Sequence, residues 1–164
     1  MEFHTKMSRT LVVQYSPSSE EALTYMVYMN PTEVGAPYVA IGRFVYRCAA
    51  HPDVAPGTIA MNAAQRRENS KMVNDPVQVF DFLVPMRDFE FKTITLRASW
   101  LKNSVAAPPP TNLANIFRTT FEGFILVTGQ ILTLNYEGND VLMTVSSEGR
   151  GILTMNSDVG VHWE

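Results

Sequence analysis

Only one stretch of the chain carries helical periodicity. Leu113, Ile116, Phe117, Thr120 and Phe121 stand at i, i+3, i+4, i+7 and i+8, which places them on one face of an amphipathic helix. Thr111 or Asn112 is positioned to cap its start and Gly123 to end it. The remaining apolar residues fall into runs too short for helices and rich in β-branched and aromatic side chains. The expected class is mainly β with some α, in two halves.

The strands read in order. Arg9 to Gln14 is β-rich and is broken by Tyr15-Ser16-Pro17-Ser18-Ser19. Ala22 to Met29 reads as helix or strand, with Thr24, Tyr25, Val27 and Tyr28 favouring strand. Tyr38 to Cys48 reads as a strand pair with Gly42 at a bulge or bend. The next stretch, His51 to Arg67, bends at His51-Pro52 and Pro56-Gly57, runs through Thr58-Ile59-Ala60-Met61 as a strand, and reads as ending in an exposed basic tip, Arg66-Arg67. Glu68 to Pro76 is loop-like, and Val77 to Phe82 alternates with period two.

A new pattern begins at Pro85, which divides the chain into 7–83, a linker at 84–88 and a second lobe at 89–164. Residues 1–6, ahead of a second methionine at Met7, read as a leader or cloning remnant. Phe89 to Arg97 alternates with one phase slip, between Phe91 and Ile94, which predicts a bulge. Ala106-Ala107-Pro108-Pro109-Pro110 reads as a linker. Ile131 to Tyr136 and Val141 to Val145 flank a hairpin turn at Glu137 to Asp140, and Gly151 to Thr154 starts the last strand.

With 164 residues, 46% of them hydrophobic, the chain can bury one core or two small ones, too little for a large multidomain enzyme. A net charge of −3 argues against bulk nucleic-acid binding. No run approaches the ~20 apolar residues of a membrane span, and the N-terminus has no signal-peptide core. The single cysteine, Cys48, sits in an apolar segment and reads as a core residue that fits a reducing compartment.

The chain offers little chemistry of its own. It has no Gly-x-x-x-x-Gly-Lys-Ser/Thr phosphate loop, and Gly149-Arg150-Gly151 does not lead a strand into a helix. His4, His51 and His162 are scattered and make no zinc set. Cys48 and His51 are close enough in sequence to meet, but no orienting Asn or Asp accompanies them. No catalytic residue, metal or bound cofactor is expected. The basic residues Arg43, Arg47, Arg66, Arg67 and Lys102 leave two readings open: one basic groove, or separate solvated charges.

The stretch His51-x-x-x-x-Pro56-Gly57-x-Ile59, followed by Gln65-Arg66, resembles the N-terminal domains of the N-ethylmaleimide-sensitive factor family, ATPases that disassemble SNARE complexes. Ala22-Leu23-Thr24 ahead of Asn30-Pro31, Trp100-Leu101-Lys102, Leu113 to Phe117, Gly129-Gln130 and Gly151 to Thr154 extend the resemblance over most of the chain. It implies a double-psi β-barrel followed by a small α/β lobe, with a groove between, as in the two-lobed N-domain of an AAA ATPase. It also implies binding of the adaptor SNAP on SNARE complexes through basic residues. Arg66 carries over directly, Lys102 less securely with Asn103 beside it, and Arg67 compensates in part. Tyr15 stands where the family has a third basic residue, and Glu68 or Asn69 where it has an aromatic one. ATP and magnesium are expected only in ATPase domains outside this chain. The isolated domain is expected to be monomeric, the whole protein a homohexamer, cytoplasmic and recruited to membranes through SNAP without insertion. The alternatives are the N-domain of a ubiquitin-segregating ATPase, binding peptide cofactors between its lobes, and a small double-psi-barrel enzyme.

Overall fold

Leu11 and Val13 point inward along the first strand, β1 (Ser8–Gln14), between neighbours that do not. The computed structural model describes residues 8–164, so the leader assigned to 1–6 lies outside the described residues. The chain divides into two compact units between Val84 and Pro85.

The first unit is a closed six-stranded barrel. Its strands are β1, β2 (Val27–Met29), β3 (Tyr38–Ile41), β4 (Phe44–Ala50), β5 (Thr58–Ala60) and β6 (Pro76–Asp81). They close in the order β1-β5-β2-β4-β3-β6. β1 runs parallel to β5, with Val12 opposite Thr58, and β2 parallel to β4, with Val27 opposite Cys48. All other neighbours are antiparallel. Two parallel pairs in a closed six-stranded sheet make the double-psi barrel. Val13, Val27, Met29, Ile59 and Val79 are fully buried inside it, each worth roughly 1.5–3 kcal/mol relative to exposure.

Local signals explain the connections. Gly42, at φ +59, turns the β3–β4 hairpin, so the Tyr38 to Cys48 segment is a strand pair as read. The Ala22 to Met29 segment is mixed. A single helical turn, α1 (Ser19–Ala22), is capped by Ser18, and only Val27–Met29 is strand. The turn-strand-turn reading of the stretch ending at Arg67 needs correction at its end. After β5, residues Ala63–Glu68 form a helix, α2, so Arg66 and Arg67 stand on a helix and not on a loop tip. The cause is a capping box. Asn62 Oδ1 accepts from Gln65 N at 2.8 Å, and Gln65 Oε1 accepts from Asn62 N at 2.8 Å.

The second unit carries a four-stranded sheet in the order β12-β7-β10-β9 and a two-stranded ribbon of β8 and β11. The strands are β7 (Thr93–Trp100), β8 (Ile125–Val127), β9 (Ile131–Tyr136), β10 (Asn139–Val145), β11 (Arg150–Ile152) and β12 (Asp158–Trp163). The helix α3 (Leu113–Phe121) packs against β12 and buries Leu113, Phe117 and Phe121. Asn112 occupies its N-cap position, but its side chain makes no capping bond. Gly123 follows the helix at φ +84. The β9–β10 turn places Glu137 and Gly138 at φ 50 and 89, the two-residue loop of a type I′ hairpin.

Two expectations for this unit are corrected. The phase slip near Phe91 is no bulge. The backbone there changes partner: Phe91 N donates to Ile152 O at 2.9 Å, Ile152 N to Phe89 O at 2.8 Å, and β7 begins only at Thr93. The proline segment read as a linker connects β7 to α3. It lies within the second unit, where Trp100 Nε1 donates to Ala107 O at 2.9 Å. Gly151 to Thr154 does not start the last strand, because β12 follows it, parallel to β7 with Val159 opposite Ile94.

The partner exchange at Phe91 depends on Gly151. A Cβ there would sit 2.8 Å from Phe89 O and 3.1 Å from Phe91 N, both main-chain atoms that cannot swing aside. Gly151→Ala is therefore expected to destabilise the second unit by about 1–3 kcal/mol, as overpacking does. Chemical denaturation of the variant checks this; an unchanged midpoint would show that the strands separate freely there.

Candidate partner-binding site

The barrel presents one strongly cationic hollow, of about 490 Å³. Tyr15, Ala63, Arg66, Arg67, Lys71 and Met72 line it, and no carboxylate does. Three segments build it: the end of β1, the helix α2 and the loop that follows α2.

Each segment is held from behind. The Asn62 amide nitrogen donates to Ala22 O at 2.9 Å, tying the start of α2 to the end of α1. Asn62 and Gln65 are both buried, so the cap is shielded from water. Lys71 N donates to Arg66 O at 2.8 Å, which brings Lys71 beside the arginines. Asp75 closes the loop by accepting from Met72 N at 2.8 Å, and Asn74 N donates to Val13 O at 2.8 Å. Ser70 and Asn74 adopt φ 53 and 78, the left-handed region that small polar residues tolerate best after glycine.

The cations divide by their partners. Arg66 is positioned: its Nη1 donates to Met61 O at 2.6 Å, and its guanidinium lies 5.1 Å from the centroid of the Tyr15 ring. An exposed cation–π contact of this kind is worth roughly 0.5–1 kcal/mol. Arg67 and Lys71 have no carboxylate partner among the described residues. Glu68, the one acid on α2, accepts from Tyr46 Oη at 2.7 Å. Burial, and after it the Glu68 charge, pushes the Tyr46 phenol far above its ordinary range. The protonated phenol holds the Glu68 carboxylate by this hydrogen bond.

Other residues singled out in the sequence lie elsewhere. Lys102 is an exposed turn residue of the second unit, and the hollow is built without it. Arg43 lies in the β3–β4 turn with its guanidinium 4.9 Å from the Phe44 ring. Arg47 lies on β4 opposite Tyr38. The two do not share one strand, and neither lines the hollow. Lys71 was hidden in a segment that reads only as polar loop. The signal that leads to it is Asn62-x-x-Gln65, which starts the helix that points the chain back to it.

Cys48 and His51 make no nucleophilic pair. Cys48 is buried on β4, with its Sγ 3.4 Å from Met29 Sδ. Burial pushes its thiol up to about 11; Arg9 lowers it and Asp81 raises it by lesser amounts. His51 braces its turn, its Nδ1 accepting from Asp53 N at 3.1 Å and its Nε2 lying 3.8 Å from Glu21 Oε1. A thiol moved from 9.0 to about 11 holds about 100-fold less thiolate at pH 8. Labelling of the folded protein by a disulfide reagent is expected to be slower than in urea by at least that factor. Equal rates would place the thiol at the surface.

No family model matches the chain. Among known proteins it is similar to a vesicle-fusing ATPase of Arabidopsis thaliana, 25% identical over 148 residues. The match takes in 84% of this chain and 20% of that protein, so the chain spans about a fifth of the length of that relative. In sequence, then, the chain is similar to one part of a vesicle-fusing ATPase, and its first unit is a double-psi barrel with a cationic hollow.

Proposed function

We propose that this chain is the adaptor-binding N-domain of a vesicle-fusing AAA ATPase, holding SNAP on SNARE complexes through the basic hollow of its barrel. The observation that carries the reading is the convergence of Arg66, Arg67 and Lys71 on one concavity that no carboxylate lines. Two of those cations stand in the stretch that resembles this family, and the likeness to a vesicle-fusing ATPase favours the same role. Lys102 supplies an outlying contact from the second unit.

In this role the chain hydrolyses nothing itself; ATP and magnesium belong to ATPase domains outside it. Exposed ion pairs contribute roughly 0–1 kcal/mol each and set register and encounter rate more than affinity. A single domain therefore binds weakly, and several in one assembly bind together by multivalency. Weak contacts suit a machine that must let its adaptor go. The working site is the cytoplasmic face of membranes, reached through SNAP.

The test is retention of SNAP-bound SNARE complexes on beads carrying a dense array of the chain. Retention at about 50 mM salt and release at about 500 mM is expected, because added salt shortens the screening length. No retention at either salt would sink the proposal. Capture of ubiquitin-pathway cofactor peptides in its place would decide for the rival N-domain.

A further inference from the structure

Tyr15 also walls a second hollow, of about 420 Å³. Its sides are mixed, with Pro17, Val54, Ala55 and Ala60 beside Gln14 and Thr58, and its one charged lining residue is Asp53. The Asp53 main-chain nitrogen is engaged by His51, but its carboxylate has no partner among the described residues. Tyr15 thus lines both a hollow with three cations and no acid and a hollow with one acid and no cation.

We infer that the occupant is an extended peptide that crosses Tyr15, with a carboxylate side chain among Arg66, Arg67 and Lys71 and a lysine or arginine against Asp53. This rests on the reading of the basic hollow as a partner site and specifies the chemistry of the segment it takes. The second hollow suits a long cationic side chain. The methylene stem lies along Pro17 and Ala55, and the charged head reaches Asp53, as amphipathic side chains do at mixed surfaces. Residues i and i+2 of an extended chain lie on one face about 6.6 Å apart, so we assign them to the two hollows that share Tyr15 as a lining residue. The residue between them lies over Tyr15, which is 68% exposed and held by Arg66. An opposite charge in each hollow also fixes the direction of the peptide, because reversing the order would set like charges together at both ends.

The experiment titrates the whole 164-residue chain, labelled with ¹⁵N, with capped pentapeptides whose central residues are Glu-Ala-Lys, Lys-Ala-Glu or Glu-Ala-Gln, at low salt. At least one of the two charged orders is expected to shift amides in both loops, Asp53 to Thr58 and Lys71 to Asn74, and to bind more tightly than Glu-Ala-Gln. Asp53→Asn and Lys71→Ala are each expected to weaken that binding about three- to fivefold, the range of one exposed ion pair. Neither variant removes a described side-chain bond of the fold. If Glu-Ala-Gln binds as well as both charged orders, and Asp53→Asn changes nothing, the two-hollow peptide is overturned while the basic hollow stands. If no peptide moves any amide from Arg66 to Asn74, the basic hollow falls as well.

Discussion

Glutamate at both Arg67 and Lys71 is expected to weaken capture of SNAP-bound SNARE complexes by about 10–100-fold per domain, and to abolish it on beads at low salt. Each exposed pair is worth up to about 1 kcal/mol, and reversal adds repulsion of similar size. Two positions together thus remove about 1.4–2.8 kcal/mol, a factor of about ten for each 1.4 kcal/mol. These two are the informative residues because neither side chain holds the fold. Arg66 is different: it donates to Met61 O and covers Tyr15, so Arg66→Glu mixes lost contact with lost structure. Reversing Arg87 and Lys92, exposed cations that do not line the hollow, is the matched control and is expected to leave capture unchanged. Calorimetry on the isolated chain, with thermal melts of each variant, measures both quantities. Equal losses from the two double reversals would mean that net charge governs capture, and the hollow would have no special part.

Asn62→Ala is expected to destabilise the barrel unit by about 3 kcal/mol. Loss of an N-cap costs about 1 kcal/mol. The rest comes from Ala22 O, left without its donor in a part-buried place, at roughly 1–3 kcal/mol before relaxation. For a unit of this size that lowers the melting temperature by on the order of 15 °C. Asn62→Ser keeps a cap acceptor and loses the bond to Ala22 O, so it is expected to cost clearly less. Partner capture is expected to fall with Asn62→Ala, because α2 carries Arg66 and Arg67 and leads to Lys71. A variant that melts like the parent would show that the barrel, and not the cap, fixes α2.

The two substitutions separate what could be read from the chain and what could not. Arg66 and Arg67 were visible as adjacent cations, and the β9–β10 hairpin announced itself by alternation on either side of Glu137-Gly138. Those signals are local. The helix α2 is six residues long, too short to show a period, and its one clear mark was the spacing of Asn62 and Gln65. Lys71 joins the site through a main-chain bond to Arg66 that no periodicity encodes. β12 was missed because it pairs in parallel with β7, Val159 opposite Ile94. A central Gly160 weakens it further as a strand signal. The mainly β class and the double-psi barrel were legible from the resemblance together with the run lengths. Tyr15 was noticed as a missing cation, and its service as the aromatic support of Arg66 appears only in three dimensions.

The closure of the barrel has a consequence for how such a module changes over time. A sheet that ends on itself has no rim where a visiting strand could be stitched on through its main chain, so β1 to β6 offer no such welcome. Recognition on this unit is left to side chains that stand outside the ladder. Loyalty to one partner can then be rewritten by a few surface codons, while the cylinder beneath keeps its shape.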